Sequence, residues 1–497
     1  MRIENLPVLA WGAVFTKEQN SVVVYCGVQI EIRDQVIIEG AWNDCYENSS
    51  PLDATVVCGS GGMCFPDHAK FWAGTDNIYP LYSVRKNNQL FLSNSAVFVM
   101  SLSTEQPHSS YPFYYEDFIS IVRLGFKPDG KLRLASKNNL NIHFSHILEI
   151  DRNLNVSFHR HPDTKPLTDF KSYRSLLGDS ISQVLENAGD FRRQYPYSSI
   201  AACSKGYDAN AIAVLAAEAG CTEAITFCDS KRANSSLDSG EEIARYLNLK
   251  LNTVDRWAYM VSDDLIEFAI VPYGMSSPYK GIENQLKKKI LITGHTGDSI
   301  WGIKKSAEFV NSRASWAKFN SGYGLLEYRL RIGMIVFPPC QVGSIHNHDI
   351  HRIMTSKEMQ PWSIGGKYDR PIPRRILEDA GINRGEFGMK KYASSQVNIA
   401  RSGMHPESFH KSYDQFMTER REIVGILNDN CWRLLYKFRN ILIKRLSAKK
   451  YRIGKITGLQ NIPPYVINRP VAIKWYYVFY FLWSFNHLKE RYVIKRK

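Results

Sequence analysis

No stretch of the 497 residues stays apolar and uncharged for the ~20 positions that a membrane-spanning helix needs. The aromatic run at 475–485, WYYVFYFLWSF, is about half that length. No CxxC pair is present, which argues against a structural zinc site. The nine cysteines are odd in number and irregularly spaced, so they do not form a disulfide framework. The opening MRIENLPVLAWGAVF has an acid right after its early Arg and no cleavage-like site, which argues against a signal peptide. A reducing, cytoplasmic setting fits these absences. Repeats and low-complexity segments are also missing. Acids nearly vanish from one region: 433–497 holds sixteen Lys/Arg and only Glu490. The formal +15 of the chain therefore lies there, and residues 1–432 sum to zero.

Hydrophobic residues make up 44% and charged residues 22%, as in an ordinary globular protein. The length predicts two domains or more, because single cores stop growing near ~250–300 residues. Residues 1–160 are read as β-rich, from SVVVYCGVQIEI (21–32), QVIIEGAW (35–42) and LYSVRKNNQLFLSNSAVFVM (81–100). Asn87-Asn88 predicts a hairpin turn. Near residue 165 the pattern changes. A helix is predicted over 172–189, a strand over 198–203, a helix over 209–220, a strand over 223–229, a helix over 240–249 and a strand over 250–255. A further strand and loop follow at 288–302. This alternation predicts a parallel doubly wound α/β sheet. The expected division is 1–165, 166–432 and a basic, aromatic-rich extension at 433–497.

Two loops carry the chemistry. Cys203-Ser204-Lys205-Gly206-Tyr207-Asp208-Ala209 joins a buried strand to a helix, where backbone N–H groups and the helix dipole favour an anion. Ser204 offers a hydroxyl and Lys205 a positive charge. Gly206 lets the backbone come close. Asp208 would repel a phosphate unless Mg2+ stands between them, so it implies a metal. The second loop is Ile292-Thr293-Gly294-His295-Thr296-Gly297-Asp298-Ser299-Ile300-Trp301-Gly302.

The first loop resembles the Ser-Gly-Gly-x-Asp-Ser pyrophosphate loop of ATP pyrophosphatases. Ser204, Gly206 and Asp208 match, while Lys205 replaces a Gly and Ala209 the final Ser. The second resembles the Ser-Gly-Glu-Gly-(Ser/Gly)-Asp-Glu motif of the asparagine synthetase superfamily. A third stretch, Asp369-Arg370-Pro371-Ile372-Pro373-Arg374-Arg375 through Phe387–Ser395, is similar to the C-terminal catalytic segment of that superfamily. Gly74–Tyr82 and Leu90–Ser95 resemble the hairpin of its glutaminase half. The resemblance spans roughly 70–460, with the order of motifs preserved.

The resemblance implies an N-terminal α+β, Ntn-hydrolase-like β-sandwich followed by an ATP-pyrophosphatase-type α/β domain. It implies ATP bound by Ala202, Ser204, Lys205, Gly206, Tyr207, Asp208, Ala209, Phe227, Thr293 and Gly294. Mg2+ would sit between Asp208 and Asp298. Lys391, with Lys390 as the close alternative, would steady the acyl-adenylate and the departing pyrophosphate. His295 stands where asparagine synthetases carry Glu and lasso peptide cyclases carry His, which implies a catalytic role for it and a product other than asparagine. The glutaminase nucleophile is a Cys at position 2, where this chain has Arg2, so glutamine hydrolysis is not expected. The expected reaction is adenylation of a small-molecule, peptide or sugar carboxylate and transfer of the acyl group to an amine. A catalytically inactive scaffold that binds a partner or a membrane through its basic tail is the alternative. Nucleic acid is not an expected partner. For 433–497 the options are a solvated helix face or contact with a membrane surface or protein, and for 475–485 a buried element or an interfacial anchor.

Overall fold

A computed structural model describes the chain except residues 20, 116, 119–120, 122–129, 232–233, 235, 237, 263–264, 271–275, 304–309, 311–321, 367, 389–396, 398–403, 454–474 and 495–497, and except the side chains of 442–453. Alternating and β-branched segments of the first 160 residues form antiparallel strands: β1 Trp11–Thr16, β2 Val22–Cys26, β3 Glu31–Arg33, β4 Val36–Trp42, β5 Val57–Cys64, β6 His68–Trp72, β7 Leu81–Lys86, β8 Gln89–Ser93, β9 Gly130–Arg133, β10 Asn139–His143, β11 His146–Asp151 and β12 Val156–Arg160. They build two six-stranded sheets, ordered β2-β1-β8-β7-β10-β9 and β12-β11-β6-β5-β4-β3. Every second residue of a strand faces the same side. Trp11, Ala13, Leu81 and Leu92 of one sheet accordingly share a core with Ile37, Phe71, Leu148 and Ile150 of the other. The hairpin at Asn87-Asn88 forms as expected, with Asn87 at φ 54 and Lys86 opposite Gln89.

The rest of the fold is α/β. Strands β13 Ser198–Ala202, β14 Glu223–Cys228, β15 Lys250–Asp255, β16 Lys289–Ile292 and β17 Ile335–Phe337 pair in parallel, in the order β15-β14-β13-β16-β17. The order runs one way from β13 to β15 and the other way from β16 to β17, so the connections reverse between β13 and β16. The chain is thus a mixed α/β protein with antiparallel sheets and one parallel sheet. The helix Phe170–Gly189 joins the two parts. Its Asp169 cap accepts from Ser172 N at 2.7 Å, and its apolar face enters the largest core with Tyr79 and Ala41 of the sandwich. Tyr79 Oη accepts from Val336 N at 2.7 Å and donates to Val336 O at 2.8 Å, which satisfies the outer edge of β17. Arg329 pairs with Glu39 where both are buried.

One feature differs from the sequence reading, and two others bear on it. The apolar run AVFVM belongs to a helix, Ala96–Leu102, because the Ser95 hydroxyl accepts from Phe98 N at 3.1 Å and starts the turn. The boundary at 432/433 falls inside the helix Ile426–Ile453. Arg2 stands outside the strands; the sandwich opens at Trp11, whose indole is buried and donates to Ser60 Oγ at 2.9 Å. The Arg2 guanidinium instead donates to Gln194 Oε1 at 2.6 Å.

The 475–485 run is a buried element. Residues Trp475–Tyr477 and the helix Tyr480–Leu488 join the helix Glu407–Val424 over the outer face of the first sheet. Among the described residues no helix is long and apolar enough to cross a membrane.

Candidate functional site

The loop after β13 is held by Asn210. Its side chain accepts from Ser204 N at 3.0 Å and donates to Gly206 O at 2.9 Å. Ser204 Oγ accepts from Gly206 N at 3.0 Å, and Asp238 Oδ1 accepts from Lys205 N at 3.2 Å. The Lys205 ammonium lies 3.8 Å from Glu242. The Ala-rich segment that follows forms the helix Asp208–Glu218, as its propensity dictates, with Asp208 in its first turn. Ala202 ends the strand and Ala209 sits one residue into the helix, both half-buried. Tyr207 is buried. Its ring packs against Tyr368 at 4.9 Å and Phe387 at 5.8 Å, and Arg374 donates to its hydroxyl. Only its backbone can serve the loop. Phe227 is buried in β14 with its ring edge-on to Tyr279 at 5.3 Å. Burial pushes the Cys203 thiol up to about 12, which leaves no thiolate nucleophile there.

The loop after β16 meets the first loop backbone to backbone. A Cβ on Gly294 would lie 2.4 Å from Ala209 N, and one on Gly297 would lie 2.6 Å from Asp208 Cβ. These two glycines are what let the two segments touch. Thr293 is buried and donates its N–H to Phe337 O at 2.9 Å. Thr296 adopts φ 67, a left-handed value uncommon for a β-branched residue. Before it, His295 is half-buried; its Nδ1 is sealed from solvent and has no hydrogen-bond partner. Burial pulls its pKa down to about 4, against the charge of Asp298. The ring is neutral near pH 7, so it suits hydrogen bonding better than proton transfer. Asp298 is exposed in the short helix Gly297–Ile300.

The third stretch closes on the first loop. Arg370, just before the helix Pro371–Asp379, pairs with Asp208 and stacks 4.7 Å from the Tyr368 ring centre. The buried Cys340 thiol is raised chiefly by burial, with Asp208 and Asp298 raising it further and Arg370 opposing. All three charges therefore act on one spot. Gly388 N donates to Lys205 O at 2.8 Å; at φ 69, a Cβ there would stand 2.2 Å from the Tyr207 ring. Lys390 and Lys391 lie outside the described residues. The structure adds two residues that sequence reasoning did not single out for this site, Asn210 and the Asp208 partner Arg370. Arg370 lay within the stretch similar to a catalytic segment but was given no role of its own there.

Among the described residues no group of three or more His, Cys, Asp or Glu is arranged to hold a metal. Asp208 and Asp298 supply two carboxylates. That donor set fits Mg2+, which binds through one or two carboxylates, with phosphate oxygens and water completing the shell.

A separate cavity of about 280 Å³ opens between the sandwich and the turn after β17. Gln341, next to Cys340, lines it together with Asp76, Thr164 and Ser344. Gln341 Oε1, Thr164 Oγ1 and Ser344 Oγ are buried and without hydrogen-bond partners. Burial pushes the Asp76 carboxyl up to about 8.

No family model matches the chain, and no curated protein matches it in sequence. Among solved structures it is similar to the glutamine-dependent NAD+ synthetase from Acinetobacter baumannii, determined in complex with adenosine diphosphate. The identity is 13% and the TM-score 0.23, over 46% of this chain and 40% of that one. The chain thus spans well under half the length of that synthetase.

Proposed function

We propose that the chain is an ATP-dependent, AMP-forming carbon–nitrogen ligase that adenylates a carboxylate and passes the acyl group to an amine. The observation that carries this reading is the place of the two loops. They leave β13 and β16, the strands on either side of the point where the sheet order reverses. In open α/β sheets, ligands bind in the crevice beyond the strand ends at that point. The loops also bring Asp208 into contact with the backbone of the Asp298 loop.

Asp208 and Asp298 would hold Mg2+, which neutralises phosphate charge. The chain's own work is positioning. To take a phosphate, the Lys205 and Gly206 N–H groups must leave Asp238 and the Ser204 hydroxyl. Arg370 can then turn from Asp208 to the developing charge, since a fixed cation stabilises a leaving pyrophosphate. Lys391, or Lys390 beside it, would contribute the same way. His295 would donate or accept a hydrogen bond to the acyl group. The cavity at Gln341 is a candidate entry for the second substrate, because its unpaired side-chain oxygens can receive an amine or hydroxyl.

ATP–pyrophosphate exchange across a panel of carboxylates, with Mg2+, tests the reading. Carboxylate-dependent exchange is expected, with AMP as the nucleotide product. Asp208→Asn should reduce it at least about 10²-fold, the loss typical when a transition-state charge partner is removed. ADP as product, or a wild-type rate in Asp208→Asn, would overturn it. The inactive-scaffold alternative draws on the ion pair that occupies Asp208 and on Lys205 and Ala209 in the loop. It predicts no exchange with any acid and no nucleotide-dependent rise in melting temperature.

A further inference from the structure

The sequence left two places where the basic extension could meet a surface, and the structure closes one of them. The aromatic run 475–485 is packed inside, so its rings are not free to anchor anything. The helix Ile426–Ile453 is different. Of the fifteen large hydrophobic side chains exposed among the described residues, seven lie between 423 and 441. Leu427 is 84% exposed, Phe438 68% and Leu434 66%, values that no packed face would show.

Their spacing gives them one direction. At about 100° per residue, Leu427, Cys431, Leu434, Leu435, Phe438 and Ile441 fall within an arc of roughly 120°. The other side faces the body. Asp429 is buried and paired with Arg420 at 2.6 Å, and Tyr436 packs against Trp475 at 5.6 Å and Phe113 at 5.8 Å. The apolar arc therefore points away from the protein. An arc wider than about 100° exceeds the narrow seam of a paired helix.

Charge separates the candidate occupants. From Arg433 to the end of this helix the sequence carries eight Lys/Arg and no acid. A partner helix is matched by both signs of charge beside its seam. Over 427–441 the charged residues beside the arc are Arg433 and Lys437 on one side and Arg439 on the other, with no acid among them. This matches an anionic lipid surface, where acyl chains take the arc and headgroups the cations. We propose that the helix Ile426–Ile453 lies flat in the interface of an anionic bilayer and docks the protein there. Nothing in this depends on the nucleotide site.

Flotation of the full chain with vesicles tests it, using phosphatidylcholine:phosphatidylglycerol at 7:3 and phosphatidylcholine alone. Binding to the anionic vesicles is expected to be at least about tenfold tighter, and to weaken at 0.5 M salt because exposed charges are then screened within a few ångströms. The double variant Leu434→Ser/Phe438→Ser should lose binding by about tenfold or more through lost apolar burial. Its melting temperature should not change, since both side chains are exposed. Failure of the wild-type chain to bind anionic vesicles overturns the proposal, as does undiminished binding by the double variant. Sedimentation equilibrium of the same proteins covers the rival occupant. A dimer that the double variant dissociates, without lipid binding, would make the arc a contact between copies and would also overturn it.

Discussion

Asp76 and His295 are buried or half-buried titratable groups with opposite shifts, and each makes stability depend on pH in its own direction. The Asp76 carboxyl is held at about 8, chiefly by burial, with Ile78 N–H and Arg329 pulling it down. Its folded value is above the unfolded one, so its contribution is full at low pH and is lost as pH rises from about 4 towards 8. Asp76→Asn keeps the shape and carries no charge. It should raise stability by roughly 2 kcal/mol or more at pH 8 and far less at pH 5. Melting curves at both values check this, and an equal change at both would contradict it. His295 runs the other way. Held down to about 4, it contributes least in acid, and stability is lost as pH falls from about 6.5 to about 4. His295→Asn should flatten that part of the profile. Neither shift could be read from the sequence, where Asp76 was one letter of a hairpin motif and His295 a departure from a family pattern. Burial comes from residues distant in the chain, such as Gly322, whose Cβ position lies 3.3 Å from His295 Nδ1.

At the scale of elements, the sequence showed what repeats with a period and missed what a single side chain decides. Four of the five parallel strands and the helices at 170–189 and 208–218 followed from apolar spacing and were placed to within a few residues, while the three-residue edge strand β17 was too short to show a pattern and was missed. The helix Ala96–Leu102 was read as strand because five apolar residues in a row carry no period; one hydroxyl, that of Ser95, settled it. The two candidate loops were picked out by Gly, Ser and Asp at a spacing that resembles a family motif, and the structure places them at the ends of adjacent strands. The bond from Arg370 to Asp208 was not legible, since it joins residues 162 apart. The contact between the loops gives an element-scale prediction. Gly297→Ala puts a methyl 2.6 Å from Asp208 Cβ and pushes the two segments apart. A cost of about 1–3 kcal/mol is expected, as for other overpacked sites. Pyrophosphate exchange should fall more than stability alone explains, because the displaced group is Asp208. Retention of full exchange would show that Asp208 need not sit against this loop.

Across the whole molecule, the segment 475–494 ties the chain together. Tyr492 donates to Glu327 at 2.5 Å, Arg491 pairs with Glu267, and Asn5 Nδ2 donates to Val493 O at 2.8 Å. Ser95 also donates to Glu327, at 2.7 Å, so this buried carboxylate joins the sandwich, the α/β part and the C-terminal segment. Tyr492→Phe removes one of its donors and should cost on the order of 1–3 kcal/mol in chemical denaturation. A change below a few tenths would mean that water replaces the phenol. The charge of 433–497 was legible from the sequence, and burial was one of two readings of 475–485; the fold decides the division, with the aromatic run in the core and Leu427, Leu434 and Phe438 of the helix before it turned outward. That division sets an order of events during synthesis. The outer face of the first sheet, with Phe91, Tyr82 and Val84, shares its core with Phe481 and Trp483. At roughly 5–20 residues per second, the ribosome needs on the order of tens of seconds to reach 475 after completing β10. Throughout that interval this face is covered only in part, by the helix Ala96–Leu102 and later by Glu407–Val424, and its aromatic core is completed only when the last helix emerges.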